Sequence, residues 1–276
     1  PVQIVRPAVG APVQIVALYG SSSFFVAPQG ATNLFRGASS TFNTKDPTMR
    51  AGYQPGDLVI VTGNAAAAAG SANCDLVEIT NTVGVLTHAQ GNYTSFYAPP
   101  PLPQVAARYN PPGGTGAVYG GNGNLFNLGP APRLNTWSVV GDVLQVADGF
   151  TGAAAQQVAE GVIDLQAQYG VDGNADGQIA DAEWLPVAAP DPVDWTTVRA
   201  VRLAVLSRSK QFERELGNQP VPNWAGGTQQ FVMTNVDGTA DSQAPNDLDP
   251  NNWRHYRYRV YESVIPLRNM IWGTMP

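Results

Sequence analysis

The chain has 276 residues, 43% of them hydrophobic and only 13% charged, with glycine (29) and proline (23) abundant. That hydrophobic share buries a core and excludes a wholly disordered chain, while no apolar run approaches the roughly 20 residues of a membrane-spanning helix. The net charge of −6 is uneven: residues 142–194 carry ten carboxylates and no Lys or Arg, a self-repelling block that cations or basic neighbours relieve and a phosphate backbone avoids, so nucleic acid is not an expected partner.

Short runs rich in Val, Ile and Leu, bounded by Gly, Asn, Pro or Asp, predict strands at Ala11–Tyr19, Asp57–Thr62, Asp75–Thr80 and Trp137–Val146. Ala153–Gly161 reads as a short helix or turn. Beyond it, Ile163, Leu165, Ala167, Tyr169 and Val171 alternate with Asp164, Gln166 and Gln168, the pattern of a strand with one face toward a core. Asp194 is placed to cap a helical turn with its side-chain oxygen, ahead of a second long strand through Val201, Leu203 and Val205. A third alternates Tyr256, Tyr258 and Val260 with His255, Arg257 and Arg259. These three are expected to form the core of one antiparallel sheet. Residues 27–55, 98–133 and 217–250 are polar, Pro/Gly-rich and read as long loops suited to contact. With no repeat and no clear linker, a single globular domain over residues 1–276 is expected.

Little in the chain points to catalysis. One cysteine, Cys74, excludes an internal disulfide and a cysteine zinc site. The two histidines, His88 and His255, stand far apart in sequence, and no HExxH, Walker A or GxSxG pattern occurs. The glycines at 113, 114, 116, 120, 121 and 123 have neither the spacing nor the preceding strand of a nucleotide cradle and read as a loop.

The sharpest local pattern runs from Asp172 to Glu183 and matches D-x-[DN]-x-[DN]-G-x5-E without a gap. Calcium takes six to eight oxygens in a flexible cage. Asp172, Asn174 and Asp176 would offer side-chain oxygens, Gln178 its carbonyl and Glu183 two closing oxygens, with Gly177 allowing the sharp turn and Ile179 as an inward apolar anchor. An acidic Asx/Gly turn is the plainer alternative. The segment before the loop alternates with period two, so it is a strand and not the entering helix of a regulatory pair; a single structural calcium site is expected. Asp237, Asp241, Asp247 and Asp249 fit no ligand template and read as a solvated loop. Trp253–Glu262 interleaves arginines with aromatics; a base-stacking strand has that look, as does an amphipathic strand with tyrosines inward and arginines toward the acidic half, and the acidic balance of the chain favours the second. Asn92-Tyr93-Thr94 is a bare glycosylation tripeptide.

Three stretches together, Val162–Asp172 running into the acidic loop, Trp195–Arg208, and Trp253–Glu262 followed by Pro266–Asn269, resemble in order and spacing the type IV pilus assembly proteins PilW, minor pilins related to the J-type pseudopilins of type II secretion. The resemblance is specific over about residues 158–276 and looser over 11–150. It implies an α+β, mostly β, antiparallel-sheet minor-pilin domain with long loops. It also implies a leader peptide and an N-terminal hydrophobic helix that enters the inner membrane; neither is in this chain, whose first residue, Pro1, reads as the start of a processed product or fragment.

The role implied is non-catalytic: helping to initiate pilus assembly within a tip complex, with other minor pilins, a pilus-tip adhesin and the major pilin filament as partners. Location would be inner membrane and periplasm before assembly, then the pilus tip outside the cell. The calcium assignment rests on the loop pattern and not on the resemblance. A type II secretion pseudopilin, a secreted calcium-stabilised adhesin or carbohydrate-binding module, and a hydrolase with dispersed Ser, His and Asp are the competing readings.

Overall fold

The computed structural model describes residues 2–6, 11–22, 29–34, 40–63, 74–113, 121–185, 192, 194–214, 220–239 and 249–267. In chain order the strands are β1 (Val2–Val5), β2 (Gln14–Tyr19), β3 (Gln29–Leu34), β4 (Thr41–Thr44), β5 (Leu58–Gly63), β6 (Cys74–Glu78), β7 (Leu86–Thr87), β8 (Asn92–Thr94) and β9 (Gln104–Ala106). They continue with β10 (Gly121–Gly129), β11 (Arg133–Val140), β12 (Val143–Asp148), β13 (Gln156–Glu160), β14 (Val162–Val171), β15 (Val198–Arg208), β16 (Asn223–Trp224), β17 (Gln229–Gln230) and β18 (Tyr258–Pro266). Helical residues among those described are confined to short 3-10 turns, so the fold is mostly β and antiparallel, as the sequence predicts. No helix among the described residues is long and apolar enough to cross a membrane.

Contacts gather the chain into two compact units, residues 1–17 with 134–276, and residues 18–133. The second is an insertion in the sequence of the first, leaving along β2 and returning into β11, which are neighbours in one sheet; adjacent chain ends are what an inserted unit requires. One domain over 1–276 is then a statement about cooperative unfolding. We carry it as a proposal that a single thermal transition supports and two resolved transitions overturn.

The first unit holds a five-stranded sheet, β1-β2-β11-β12-β13, a three-stranded sheet, β14-β15-β18, and the β16–β17 hairpin. β14, β15 and β18 are the three long segments expected from alternation, and they pair antiparallel. Two expectations change. Trp137–Val146 is not one strand but the two arms of a hairpin, with Val140 opposite Val143 and a two-residue Gly141-Asp142 turn at φ 57° and 62°, the backbone of the tightest hairpin loops. Ala153–Gly161 is not helical: Gln156–Glu160 forms the edge strand β13.

β14 is also buried on both faces rather than one. Leu165, Ala167 and Tyr169 enter a core with Ile4, Val13, Ile15, Val198 and Val201, while Asp164, Gln166 and Gln168 are buried on the other side. A buried polar face survives only if its groups are hydrogen-bonded. Gln166 donates from Nε2 to Asp164 Oδ1 at 2.9 Å. β15 has Ala204 and Leu206 in a second core with Trp224, Ala225 and Phe231, and Asp194 caps the turn before it by accepting from the Thr196 amide at 2.9 Å.

The inserted unit is a six-stranded sheet, β6-β5-β10-β3-β4-β7, packed around Phe42, Tyr53, Val59, Val61, Val77, Ile79, Leu86 and Leu125. Much of residues 27–55 and 98–133, expected as loops, is sheet. β10 is central despite the sequence Gly121-Asn-Gly-Asn-Leu-Phe-Asn-Leu-Gly129, and Gly121 and Gly123 of the glycine cluster lie within it; residues 114–120 and the alanines 65–69 lie outside the described residues. Two buried carboxylates organise this unit. Asp57 accepts from the Tyr97 hydroxyl at 2.7 Å, the Asn127 amide at 3.0 Å and the Gln54 N–H at 2.9 Å. Glu78 accepts from the Tyr93 hydroxyl at 2.7 Å and the Arg108 N–H at 2.6 Å.

Burial pushes the Asp164 carboxyl up to about 6, the bond from Gln166 offsetting only part of the effect. The folded chain therefore holds this proton more tightly than the unfolded one, and stability from this group is full at low pH and lost as pH rises through about 6. Asp164→Asn is expected to raise stability at about pH 7 by about 2 kcal/mol, the gain vanishing below about pH 4, measured as urea midpoints across that range.

Candidate functional site

The acidic loop follows directly from β14 and is held by its own backbone. Asp172 is 3% exposed. Its Oδ1 accepts from the Asp176 N–H at 3.1 Å and its Oδ2 from the Gly177 N–H at 3.2 Å, with Arg199 Nε 3.5 Å from the same Oδ2. Asp176 accepts from the Gln178 N–H at 2.8 Å and from Asn174 Nδ2 at 3.1 Å. Gly177 sits at φ 81°, which spares the backbone a Cβ clash. Ile179 turns inward as expected: a Cβ on Gly170 would lie 3.1 Å from its Cγ2 and 3.0 Å from the Trp184 ring. The loop returns through a bridge between Gly170 and Trp184 and a bond from Leu185 N–H to the Tyr169 carbonyl at 2.8 Å.

The structure thus brings Asp172, Asn174, Asp176 and the Gln178 backbone together by hydrogen bonds. Glu183 stands in a 3-10 turn, Asp181–Glu183, where its Oε2 accepts from the Ala180 N–H at 2.8 Å. Among the described residues no three His, Cys, Asp or Glu side chains gather as a metal centre. The donor types, all oxygen with one buried carboxylate, fit a hard cation. For Glu183 to serve as a ligand it would release Ala180, and a cation at Asp172 would compete with Arg199.

Asp237 accepts from the Thr239 N–H and hydroxyl at 3.0 and 2.7 Å, and these bonds hold its carboxyl below the usual range; Asp249 accepts from the Asn251 N–H at 2.9 Å. Both serve local turns, and Asp241 and Asp247 lie outside the described residues.

The arginine–aromatic run is corrected in register. Trp253–His255 is a 3-10 turn, not strand. His255 is fully buried, with Nδ1 2.7 Å from the Glu213 carbonyl oxygen and its ring against Phe212. The sheet begins at Tyr258. Of the arginines, Arg257 pairs with Glu213, Arg259 lies over Tyr261 and Arg254 over Trp253. The acidic block is met instead from β15 and just past it, by Arg199 on Asp172, Arg208 on Asp142 and Lys210 on Glu160. Nor do all the tyrosines turn inward: Tyr261 is 52% exposed. His88 is buried against the Phe42 ring, and burial drives its imidazole down to about 4. Asn92 of the tripeptide is exposed on β8, while Tyr93 is buried.

Exposed apolar residues continue past the stretch singled out by sequence. Val264 and Ile265, at the far end of β18, are 50% and 44% exposed. An apolar groove of about 270 Å³ within the first unit is lined by Val2, Ile15, Trp137, Leu203, Val205 and Ile265, among others. The signal available in the sequence was the apolar character of both parities, Val260 and Val264 as well as Tyr261 and Ile265.

The comparisons with known proteins fall on this unit. Residues 139–269 match the model of a pilus-assembly family; the match supports a type IV pilus assembly-related protein and suggests an envelope- or pilus-associated location and interaction with other pilus components. The family is PilW, Type IV Pilus-assembly protein W, and the resemblance drawn from three sequence stretches is shown across that span. The matched region lies wholly in the first unit and contains β14, β15, β18 and the acidic loop. It is not a known enzyme family. No curated protein and no solved structure matches.

Asp172→Ala removes the acceptor of two loop amides and a guanidinium, and is expected to cost about 3 kcal/mol in urea unfolding, with Asp172→Asn costing less. A loss under about 0.5 kcal/mol for the alanine variant, the usual range of a surface change, contradicts the loop's place in the fold.

Proposed function

We propose that the chain is a non-catalytic minor pilin that helps to initiate type IV pilus assembly and forms part of the pilus tip complex. The observation that carries this reading is the PilW match over 139–269, coincident with the sheet β14-β15-β18 and its exposed edge. A subunit that assembles needs complementary surface, not a nucleophile. The partners are other minor pilins, a tip adhesin and the major pilin filament. The location is inner membrane and periplasm before assembly and the pilus tip afterwards.

The surfaces assigned to docking are residues 98–133 and 217–250, with the edge strand that ends the matched region. Co-purification of the chain with the other pilus proteins of its organism is the expected result. Complex formation unchanged by charged substitutions at the exposed Leu102 and Val232 of those segments would count against those surfaces, and no complex with any pilus protein would remove the reading.

We also propose one structural calcium site at Asp172, Asn174, Asp176, the Gln178 carbonyl and Glu183. The group would supply positive charge to the acidic block and brace the loop, since an ion bound only by the folded chain adds stability by mass action. Calorimetric titration is expected to show one calcium per chain and a raised melting temperature, both lost in Glu183→Gln. A flat titration of the intact chain overturns the site.

A further inference from the structure

The hydrogen bonds flanking β18 fix which of its backbone groups are spoken for. At one end the Leu267 N–H donates to the Arg199 carbonyl at 2.7 Å, and at the other the Ser209 N–H donates to the Arg257 carbonyl at 2.9 Å. Between them the register with β15 runs unbroken from Ala200 opposite Pro266 to Arg208 opposite Tyr258. Antiparallel pairs alternate between bonded and non-bonded, and both ends put the odd-numbered residues of β18 in the bonded pairs. The N–H and C=O groups of Val260, Glu262 and Val264 therefore point away from β15. Among the described residues no strand is hydrogen-bonded to β18 on that side.

Two other edges in the same unit, β14 and β13, are closed or blunted, which limits indiscriminate pairing. β14, the opposite edge of this sheet, is covered by the Val13 N–H donating to the Leu165 carbonyl at 2.8 Å and by the return through Trp184 and Leu185. β13 sets a single exposed apolar residue, Val158, among Gln156, Gln157 and Glu160, the last in an ion pair with Lys210. β18 presents Tyr261, Val264 and Ile265, with Val260 half-buried against the core of Trp224 and Phe231. Its one acid, Glu262, is tied back to Arg202 at 3.6 Å and to the Ala225 N–H at 3.2 Å.

We propose that the outward edge of β18 accepts a strand from another pilus component, which becomes the fourth strand of the sheet; this rests on the docking role proposed above. An extended strand is the occupant that fits both observations. It offers backbone donors and acceptors to Val260, Glu262 and Val264, and its alternate side chains cover Tyr261 and Ile265, the second of which opens onto the apolar groove. A helix satisfies its own backbone and a lipid tail has no hydrogen-bonding groups, so either leaves the row unmatched. Charge defines the strand further. Arg259 is exposed at the start of the edge, beside Arg257 in its ion pair with Glu213, so the incoming strand is apolar opposite the far end of the edge and carries a carboxylate at the end facing Arg259.

The test uses the intact chain and the purified globular domains of the other pilus proteins of its organism, with affinity read by surface binding. Val264→Pro removes an outward N–H that the β15 ladder does not use, a position where an edge tolerates proline. Val264→Lys, which keeps the backbone, is the second variant. The expected result is binding by the wild-type chain that falls at least about tenfold in both variants while their melting temperatures stay near wild type. Wild-type binding that neither variant changes by more than about twofold overturns the strand inference alone and leaves the docking role standing. No wild-type binding to any component removes the docking role and this inference together. Self-association of the wild-type chain that Val264→Pro abolishes, with no binding to other components, gives the edge to a second copy and overturns the partner named here.

Discussion

β15 is the strand on which the first unit turns. It lies between β14 and β18, and its two faces belong to different cores: Val201, Leu203 and Val205 face the cluster built with Ile4, Ile15 and Leu165, while Ala204 and Leu206 face Trp224 and Phe231. A one-residue slip would exchange these faces and bury Arg202 and Ser207 in place of apolar side chains. Register is thereby fixed at every pair, and everything of functional interest is displayed from it. β15 also supplies Arg199 to Asp172 and Arg202 to Glu262. One strand thus holds the acidic loop at one side of the sheet and sets the outward parity of β18 at the other.

The charge pattern of the chain finds its explanation here. Asp142, Glu160 and Asp172 of the acidic block at 142–194 are met by cations spaced along and just beyond β15, while in the C-terminal run Arg254 and Arg259 lie over their own aromatic neighbours and Arg257 pairs with Glu213. The basic, aromatic end of the molecule is accordingly an available surface. Buried carboxylates elsewhere serve as hydrogen-bond hubs: Asp57 and Glu78 each gather a tyrosine hydroxyl and a backbone N–H within the inserted unit.

How much of this was legible in the sequence depends on how well periodicity matched burial. β14, β15 and β18 alternate over long runs and were visible, as was the cap at Asp194. β14 looks half-exposed in sequence because Asp164, Gln166 and Gln168 are polar; a sequence does not reveal that a polar face is buried. The hairpin at Gly141-Asp142 was hidden because apolar residues flank the turn on both sides. Much of the inserted sheet is hidden in sequence because its central strand, β10, is rich in Gly and Asn, residues of low strand propensity that tertiary pairing overrides. In the acidic loop, spacing gave the positions of Asp172, Asn174 and Asp176 and the inward Ile179, but nothing in the pattern foretold Arg199 beside Asp172 or Glu183 engaged with Ala180. At the C-terminal end the alternating pattern runs ahead of the strand that begins at Tyr258, because Trp253-Arg-His255 mimics alternation while forming a turn capped by Asn252.

Amide hydrogen exchange along β18, in the chain alone and in complex with the other pilus components, tests the central claim most directly. The account predicts fast exchange at Val260, Glu262 and Val264 in the free chain and strong protection of those three amides in the complex, with the odd-numbered amides between them protected in both. A complex that forms while those three amides continue to exchange as in the free chain would contradict it.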